Sequence, residues 1–128
     1  MTMKDPIPFI RSSGEYRINV AGESFYQQSF AALVGPRSEE GVKIETRAQL
    51  TLQDDNPHDK YAVQITIGGH PVGHLSREHA RAFRRTVRYG QLAEHETFEC
   101  AAIICGGWDR GNGNAGHFGV RLDLNLDD

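Results

Sequence analysis

Five arginines, Arg77, Arg81, Arg84, Arg85 and Arg88, stand close together in this chain. On a helix turning about 100° per residue they fall within about a quarter turn of one another, on the side away from most of the apolar positions. Against Glu78 they give a local +4 (five minus one) in a chain whose formal net charge is -3. Arginine's planar fork matches phosphate oxygens and releases their counterions on binding, so such a face suits phosphates. It equally suits an acidic protein surface, and the plainest alternative is a solvated charged face. Upstream lies Asp55-Asn56-Pro57-His58-Asp59, where Pro57 fixes its own φ and turns Asn56 away from helix. His58 and Asp59 are thereby held at the entrance of a strand, a place that is either a turn or a site.

Other chemistries find less support. His70, His74 and His79 lie near Asp54, Asp55 and Asp59, but four residues along a strand separate side chains by about 13 Å. No Cys-x-x-Cys or His-Glu-x-x-His pattern is present, so no metal site and no cofactor is expected. The serines lack a nucleophile elbow, and the glycine-rich loop Gly106 to Gly116 lacks the Gly-Lys-Ser/Thr ending of a phosphate loop. No catalytic residue is assigned. Trp108 and Arg110 in that loop offer stacking and a charge to a flexible ligand, or belong to a plain hairpin loop.

The elements that must position these residues are legible as alternation. Tyr61, Val63, Ile65 and Ile67 share one face of a strand, and Gly68-Gly69 supplies the positive φ values of a tight hairpin. Val42, Ile44, Ala48, Leu50 and Leu52 mark the longest strand, which makes 42 to 75 a three-stranded meander. Ser76 caps a helix with Glu78 in its first turn and Ala80, Phe83 and Val87 as its apolar stripe, ending near Tyr89 with Gly90 as C-cap. Before these, Tyr16, Ile18 and Val20 alternate as a short strand. Ser24 caps a short helix with Phe25, Tyr26, Phe30, Leu33 and Val34, stopped at Gly35-Pro36. After them, Phe98, Cys100, Ala102 and Ile104 alternate in a strand buried on most of both sides. A last strand runs from Phe118 to Leu126, with Arg121, Asp123 and Asn125 outward. The expected fold is mainly β: an OB-like, partly closed antiparallel barrel of five to six strands with two helices.

At 128 residues the chain has room for one domain, read as an irregular arm over 1–13 and a single domain over 14–128. A hydrophobic fraction of 38% and a charged fraction of 24% describe a soluble protein with no membrane-spanning run. The first residues lack an apolar h-region, so an intracellular, cytoplasmic protein is expected. Cys100 and Cys105 are the only cysteines. On one strand they are too far apart to bridge, so free thiols are expected.

The runs Val20 to Gln27 (VAGESFYQ), Leu52 to Val63 (LQDDNPHDKYAV) and Val72 to Arg77 (VGHLSR), with Ala80, resemble the HIRAN domain. The likeness extends from about Tyr16 to Arg88 and is most specific at NPHDKYAV and VGHLSRE. It implies a barrel decorated with helices, of the kind found alone in bacterial and phage proteins or fused to fork-remodelling ATPases. It also implies a non-catalytic module that captures the 3′-hydroxyl end of single-stranded DNA in repair or replication-fork processing. A DNA-remodelling ATPase or nuclease acting in trans would be its partner. The alternatives are an adaptor using the arginine face and, more weakly, a metal-dependent hydrolase.

Carried over by position, Asp59 would accept a hydrogen bond from the terminal 3′-hydroxyl and Asn56 would shape the turn beneath the terminal nucleotide. His74 and Arg77 match phosphate-contacting positions, and Phe25 or Tyr26 matches an aromatic on which a base stacks. A carboxylate favours a hydroxyl over a phosphate, and an aromatic accepts any base face. His58 stands where the family's DNA-end readers carry tyrosine, Ser24 where one carries arginine, and Gly35 to Gly41 is inserted.

Overall fold

The computed structural model describes residues 6–126; the first five residues of the expected arm and the last two of the chain lie outside the described residues. The strands are β1 (Phe9–Ile10), β2 (Ile18–Asn19), β3 (Val42–Leu52), β4 (Val63–Ile67), β5 (His70–His74), β6 (Thr97–Gly106) and β7 (Phe118–Leu122). The helices are α1 (Gln27–Val34) and α2 (Arg77–Val87), with 3-10 turns at Glu23–Tyr26 and Gly90–Glu94. The sheet runs β2-β7-β6-β3-β4-β5 with antiparallel neighbours throughout. The expected mainly β, OB-like barrel with two helices is what the chain forms.

The two ends of this curled sheet meet at one bridge. The Ala21 N–H donates to the His74 carbonyl at 2.8 Å, and the His74 N–H donates to the Ala21 carbonyl at 3.0 Å. Ala21 extends β2, so the bridge ties β2 to β5. Such closure is sensitive to bulk. A Cβ on Gly73 (φ 150) would lie 2.4 Å from the Ala21 carbonyl oxygen and 2.5 Å from a Val20 methyl. Only glycine lets the two strands approach this closely.

The same place holds a β-bulge. Ile65 pairs with Gly73 and Thr66 with Pro71, which leaves Val72 as an extra residue in β5. The added residue shifts the alternation by one position. Val72 and Gly73 are therefore both buried, while His74 pairs with Gln64 on the outer, half-buried side.

The core is a single cluster inside the barrel, including Val63, Ile65, Ile67, Phe98, Cys100, Ala102 and Ile104 from the strands. Each helix inserts one aromatic into it. Phe30 of α1 stacks on Phe118 with ring centroids 5.6 Å apart, and Phe83 of α2 meets Phe98 edge-on at 5.3 Å. Both phenylalanines from the helices are essentially fully buried, so truncating either to alanine should cost roughly 3–5 kcal/mol. Cys100 and Cys105 are free thiols on β6, and burial pushes the Cys100 thiol up to about 12.

Several local expectations change. Phe9–Ile10, within the arm read as irregular, pairs in parallel with Glu99 and Cys100 of β6. Ser24 caps nothing: Gly22 (φ 75) precedes the 3-10 turn, and Ser24 lies inside it. The strand expected from Tyr61 begins at Val63, because the turn is still closing at Ala62, whose N–H donates to the Asp59 carbonyl at 3.0 Å. Helix α2 stops at Val87, and Gly90 opens a 3-10 turn instead of ending the helix. The last strand ends at Leu122, and Asp123 is buried where the alternation put it outside. Its carboxylate accepts the Gly14 N–H at 2.9 and 3.1 Å and the Tyr16 N–H at 3.4 Å, which fastens the incoming segment to the barrel. A buried carboxylate is tolerable there because it takes up backbone donors that would otherwise lack partners.

Candidate nucleic-acid interface

The segment between β3 and β4 folds around Asn56. Its Oδ1 accepts the His58 N–H at 2.8 Å and the Asp59 N–H at 3.1 Å, so a side-chain carbonyl replaces a turn of backbone bonding. Pro57, which has no N–H to satisfy, sits between Asn56 and the two N–H groups that the Asn56 side chain accepts. The base of the loop is closed where the Gln53 N–H donates to the Ala62 carbonyl at 2.9 Å.

Asp59 is divided between structure and surface. Its Oδ1 accepts the Tyr61 N–H at 2.9 Å, while Oδ2 lies 4.0 Å from Nε of Arg77, in the first turn of α2. The Asp59 side chain is 21% exposed and that of Arg77 76%. An ion pair this long and this wet contributes little, under about 1 kcal/mol, so Arg77 is readily drawn to another anion. Ser76 fixes the start of the helix, its hydroxyl accepting the His79 N–H at 3.2 Å as the sequence leads one to expect.

His74 reaches the same place from β5. Its Nε2 lies 3.1 Å from Oε1 of Gln53, which also accepts from Nδ2 of Asn56 at 3.1 Å. A glutamine carbonyl only accepts, so Nε2 carries the hydrogen. Burial lowers the His74 pKa from its ordinary 6.5, which favours the neutral ring. The 3-10 turn packs against β5, with the Tyr26 ring centroid 6.3 Å from that of His74. Phe25, beside it, is 89% exposed, an unusual position for a phenylalanine with no ligand to cover it. The turn is anchored by Gln27, whose amide donates to the Phe118 carbonyl at 3.1 Å and accepts the Phe118 N–H at 2.9 Å.

Asn56 and His74 meet at Gln53, Tyr26 packs beside the His74 ring, Asn56 also fixes the Asp59 N–H, and Asp59 faces Arg77; Phe25 and His58 are exposed. The rest of the arginine face is elsewhere. Arg81, Arg84, Arg85 and Arg88 line a cleft farther along α2, together with Tyr61 and His95. The guanidinium of Arg84 is tied down. Nε donates to the Tyr61 carbonyl at 2.8 Å, one terminal nitrogen to the Ala62 carbonyl at 3.0 Å and the other to Asp54 at 2.7 Å. Arg84 thereby braces the loop against α2.

A family model described as the HIRAN domain matches residues 13–98, well over half of the chain. The chain belongs to the HIRAN domain family. Members of this family are DNA-binding modules, and the likeness seen in NPHDKYAV and VGHLSRE falls within the matched region. Comparison with curated proteins and with solved structures gave no match.

Gln53 and Gln27 were not singled out by the sequence, although one joins Asn56 to His74 and the other seats the aromatic turn. Neither carries a local signal, since Gln27 finds its partner 91 residues away and Gln53 bonds His74 across 21. Trp108, a candidate stacking residue, is half-buried against its own loop: a Cβ on Gly116 would lie 2.4 Å from its Nε1, and Arg110 covers its ring at 5.0 Å. Among the described residues, no three His, Cys, Asp or Glu side chains gather as a metal site. No helix among them is long and apolar enough to cross a membrane.

Proposed function

We propose that this HIRAN domain is a non-catalytic module that holds the free 3′-hydroxyl end of single-stranded DNA against Asn56, Asp59, His74, Arg77 and Tyr26. The observation that carries this reading is the division of Asp59, one oxygen fixed by the Tyr61 N–H and the other turned toward Arg77. A carboxylate with one oxygen anchored and one offered accepts a hydroxyl hydrogen in a fixed direction. It repels a terminal phosphate. Arg77 then holds the phosphodiester behind the last sugar, and Tyr26 and Phe25 supply faces for bases of any sequence. His58, exposed at the lip, takes the position of the family's tyrosine and gives a smaller stacking surface. Arg81, Arg85 and Arg88 extend the positive surface along α2.

Such a module acts in repair or replication-fork processing by delivering a DNA end to a remodelling ATPase or nuclease in trans. Fluorescence anisotropy with labelled oligonucleotides differing only in a 3′-hydroxyl or a 3′-phosphate tests it. A clear preference for the hydroxyl is expected, with affinity for both falling as salt rises. Equal affinity for the two ends would remove end recognition, and no binding at low salt would leave the arginine face to an acidic protein partner.

A further inference from the structure

The longest strand leaves much of one edge open. β3 pairs with β6 in unbroken register from Val42 to Thr51, but β4 covers its other side only from Gln49 to Leu52. The Leu52 N–H donates toward β6, to the Glu96 carbonyl, and the Gln53 N–H donates toward β4, to the Ala62 carbonyl. Main-chain groups alternate in direction along a strand, so those of Lys43 and Glu45 point to the β4 side, where among the described residues no strand lies beside them. Lys43, Ile44 and Glu45 are all exposed, Ile44 at 38%. Unpaired N–H and C=O groups on an edge are a template for another strand unless charge of one sign repels it. Here the signs alternate around an apolar residue. Among the described residues, neither Lys43 nor Glu45 forms an ion pair within the chain.

We propose that this edge pairs with the same edge of a second copy of the chain, antiparallel about a two-fold axis at Ile44, so that the two sheets join through β3. Charge selects the register. An axis at Lys43 or Glu45 would set that residue against its own copy, like charge on like. An axis at Thr46 would set Glu45 against Arg47, whose guanidinium already holds Glu99 at 3.1 Å and lies over the Phe9 ring. An axis at Ile44 sets Lys43 against Glu45 twice, each a hydrogen-bonded pair, with the two isoleucines meeting between them. The ends fit as well. Gly41 of the second copy comes opposite Arg47, and at Gly41 (φ 76) the chain turns off the strand: its N–H donates to the Ser38 carbonyl at 3.3 Å, and the Ser38 N–H donates to the Gly107 carbonyl at 3.0 Å. The second strand thus leaves before Gln49, where β4 takes the edge. An extended segment of another protein would meet the same main-chain groups, but the reciprocal order of charge fits a copy of this chain. The pairing does not rest on the DNA reading, since the loop of Asn56 and Asp59 lies beyond the far end of β3.

The test is sedimentation equilibrium of the full chain without DNA, with charge reversals at the edge. The wild type is expected to form a weak dimer, as suits a short interface. Lys43→Glu and Glu45→Lys each set like charges opposite one another on both sides of the axis, and each should weaken dimerisation roughly tenfold or more. An equimolar mixture of the two variants should recover association, because an acidic edge then meets a basic one. The double variant, Lys43→Glu with Glu45→Lys, should dimerise like the wild type. Both side chains are exposed, so the variants are expected to fold, and recovery in the mixture shows that they have. In the wild type, hydrogen exchange at the Lys43 and Glu45 amides should slow as protein concentration rises. A wild type that stays monomeric up to about 1 mM would overturn the proposal. So would a dimer whose affinity both single variants leave unchanged, or two single variants that do not associate when mixed.

Discussion

Oδ2 of Asp59 faces Nε of Arg77 across 4.0 Å, the carboxylate from the loop after β3 and the guanidinium from the first turn of α2. The loop is set by Asn56 and the helix by Ser76, and both are joined to the barrel through β4 and β5. The pair therefore depends on how firmly the loop is braced to the helix.

Arg84 is that brace. Replacing it with alanine removes donors from the Tyr61 and Ala62 carbonyls, and the 19% exposed side chain leaves a gap between loop and helix. Loss of hydrogen bonds from a charged, largely covered donor should cost roughly 1–3 kcal/mol, read as a shift in the midpoint of urea unfolding. The exposed bond to Asp54 adds little to this, because that carboxylate is 73% in solvent. Unchanged unfolding in Arg84→Ala would return this residue to the phosphate-binding face.

Closure of the barrel hangs on Gly73. Gly73→Ala would bring a methyl within 2.4 Å of the Ala21 carbonyl oxygen at a positive φ, and should destabilise the domain by about 2–5 kcal/mol. Gly69→Ala makes the comparison clean: it also has a positive φ of 82 but no neighbour within 4 Å, so only the backbone cost of about 1–2 kcal/mol remains. Thermal unfolding of the two variants should rank them in that order.

How much of this was legible follows from where each residue finds its partner. The β4–β5 hairpin and the Ser76 cap rest on neighbours a few positions away, and alternation and capping chemistry reveal them. Asp123 bonds Gly14 across 109 residues, so its position in the alternation pointed the wrong way. The bulge at Val72 was equally hidden. A period of two says which residues share a face only until an extra residue shifts it, and here the shift is what turns His74 outward toward Gln53. At the site, the resemblance named Asn56, Asp59, His74 and Arg77, and the fold joins Asn56 to His74 through Gln53 and sets Asp59 beside Arg77. The contiguous arginine pattern gave no hint that Arg84 serves the loop, because helical phase fixes direction and not what lies opposite.

His74 gives a pH dependence. Its ordinary value is 6.5 and burial lowers it in the folded domain, so the unfolded chain binds the proton more readily than the folded one. The stability contribution is full above 6.5 and is lost as pH falls through the lower, folded value. Denaturant unfolding of the wild type should weaken more steeply as pH falls from 6.5 toward that lower value than unfolding of His74→Gln, which keeps a polar group facing Gln53. Equal slopes would mean that His74 is solvated in the folded state.

The most direct test of the central claim compares end preference in the wild type and in Asp59→Ala. A hydrogen bond from the 3′-hydroxyl to a carboxylate is worth about 1.5–3 kcal/mol, so the wild type should favour a 3′-hydroxyl oligonucleotide over its 3′-phosphate counterpart by roughly 10- to 100-fold. In Asp59→Ala the ratio should fall to near one, chiefly through weaker binding of the hydroxyl end. A preference that survives intact in Asp59→Ala would contradict the assignment of Asp59 as the group that reads the end.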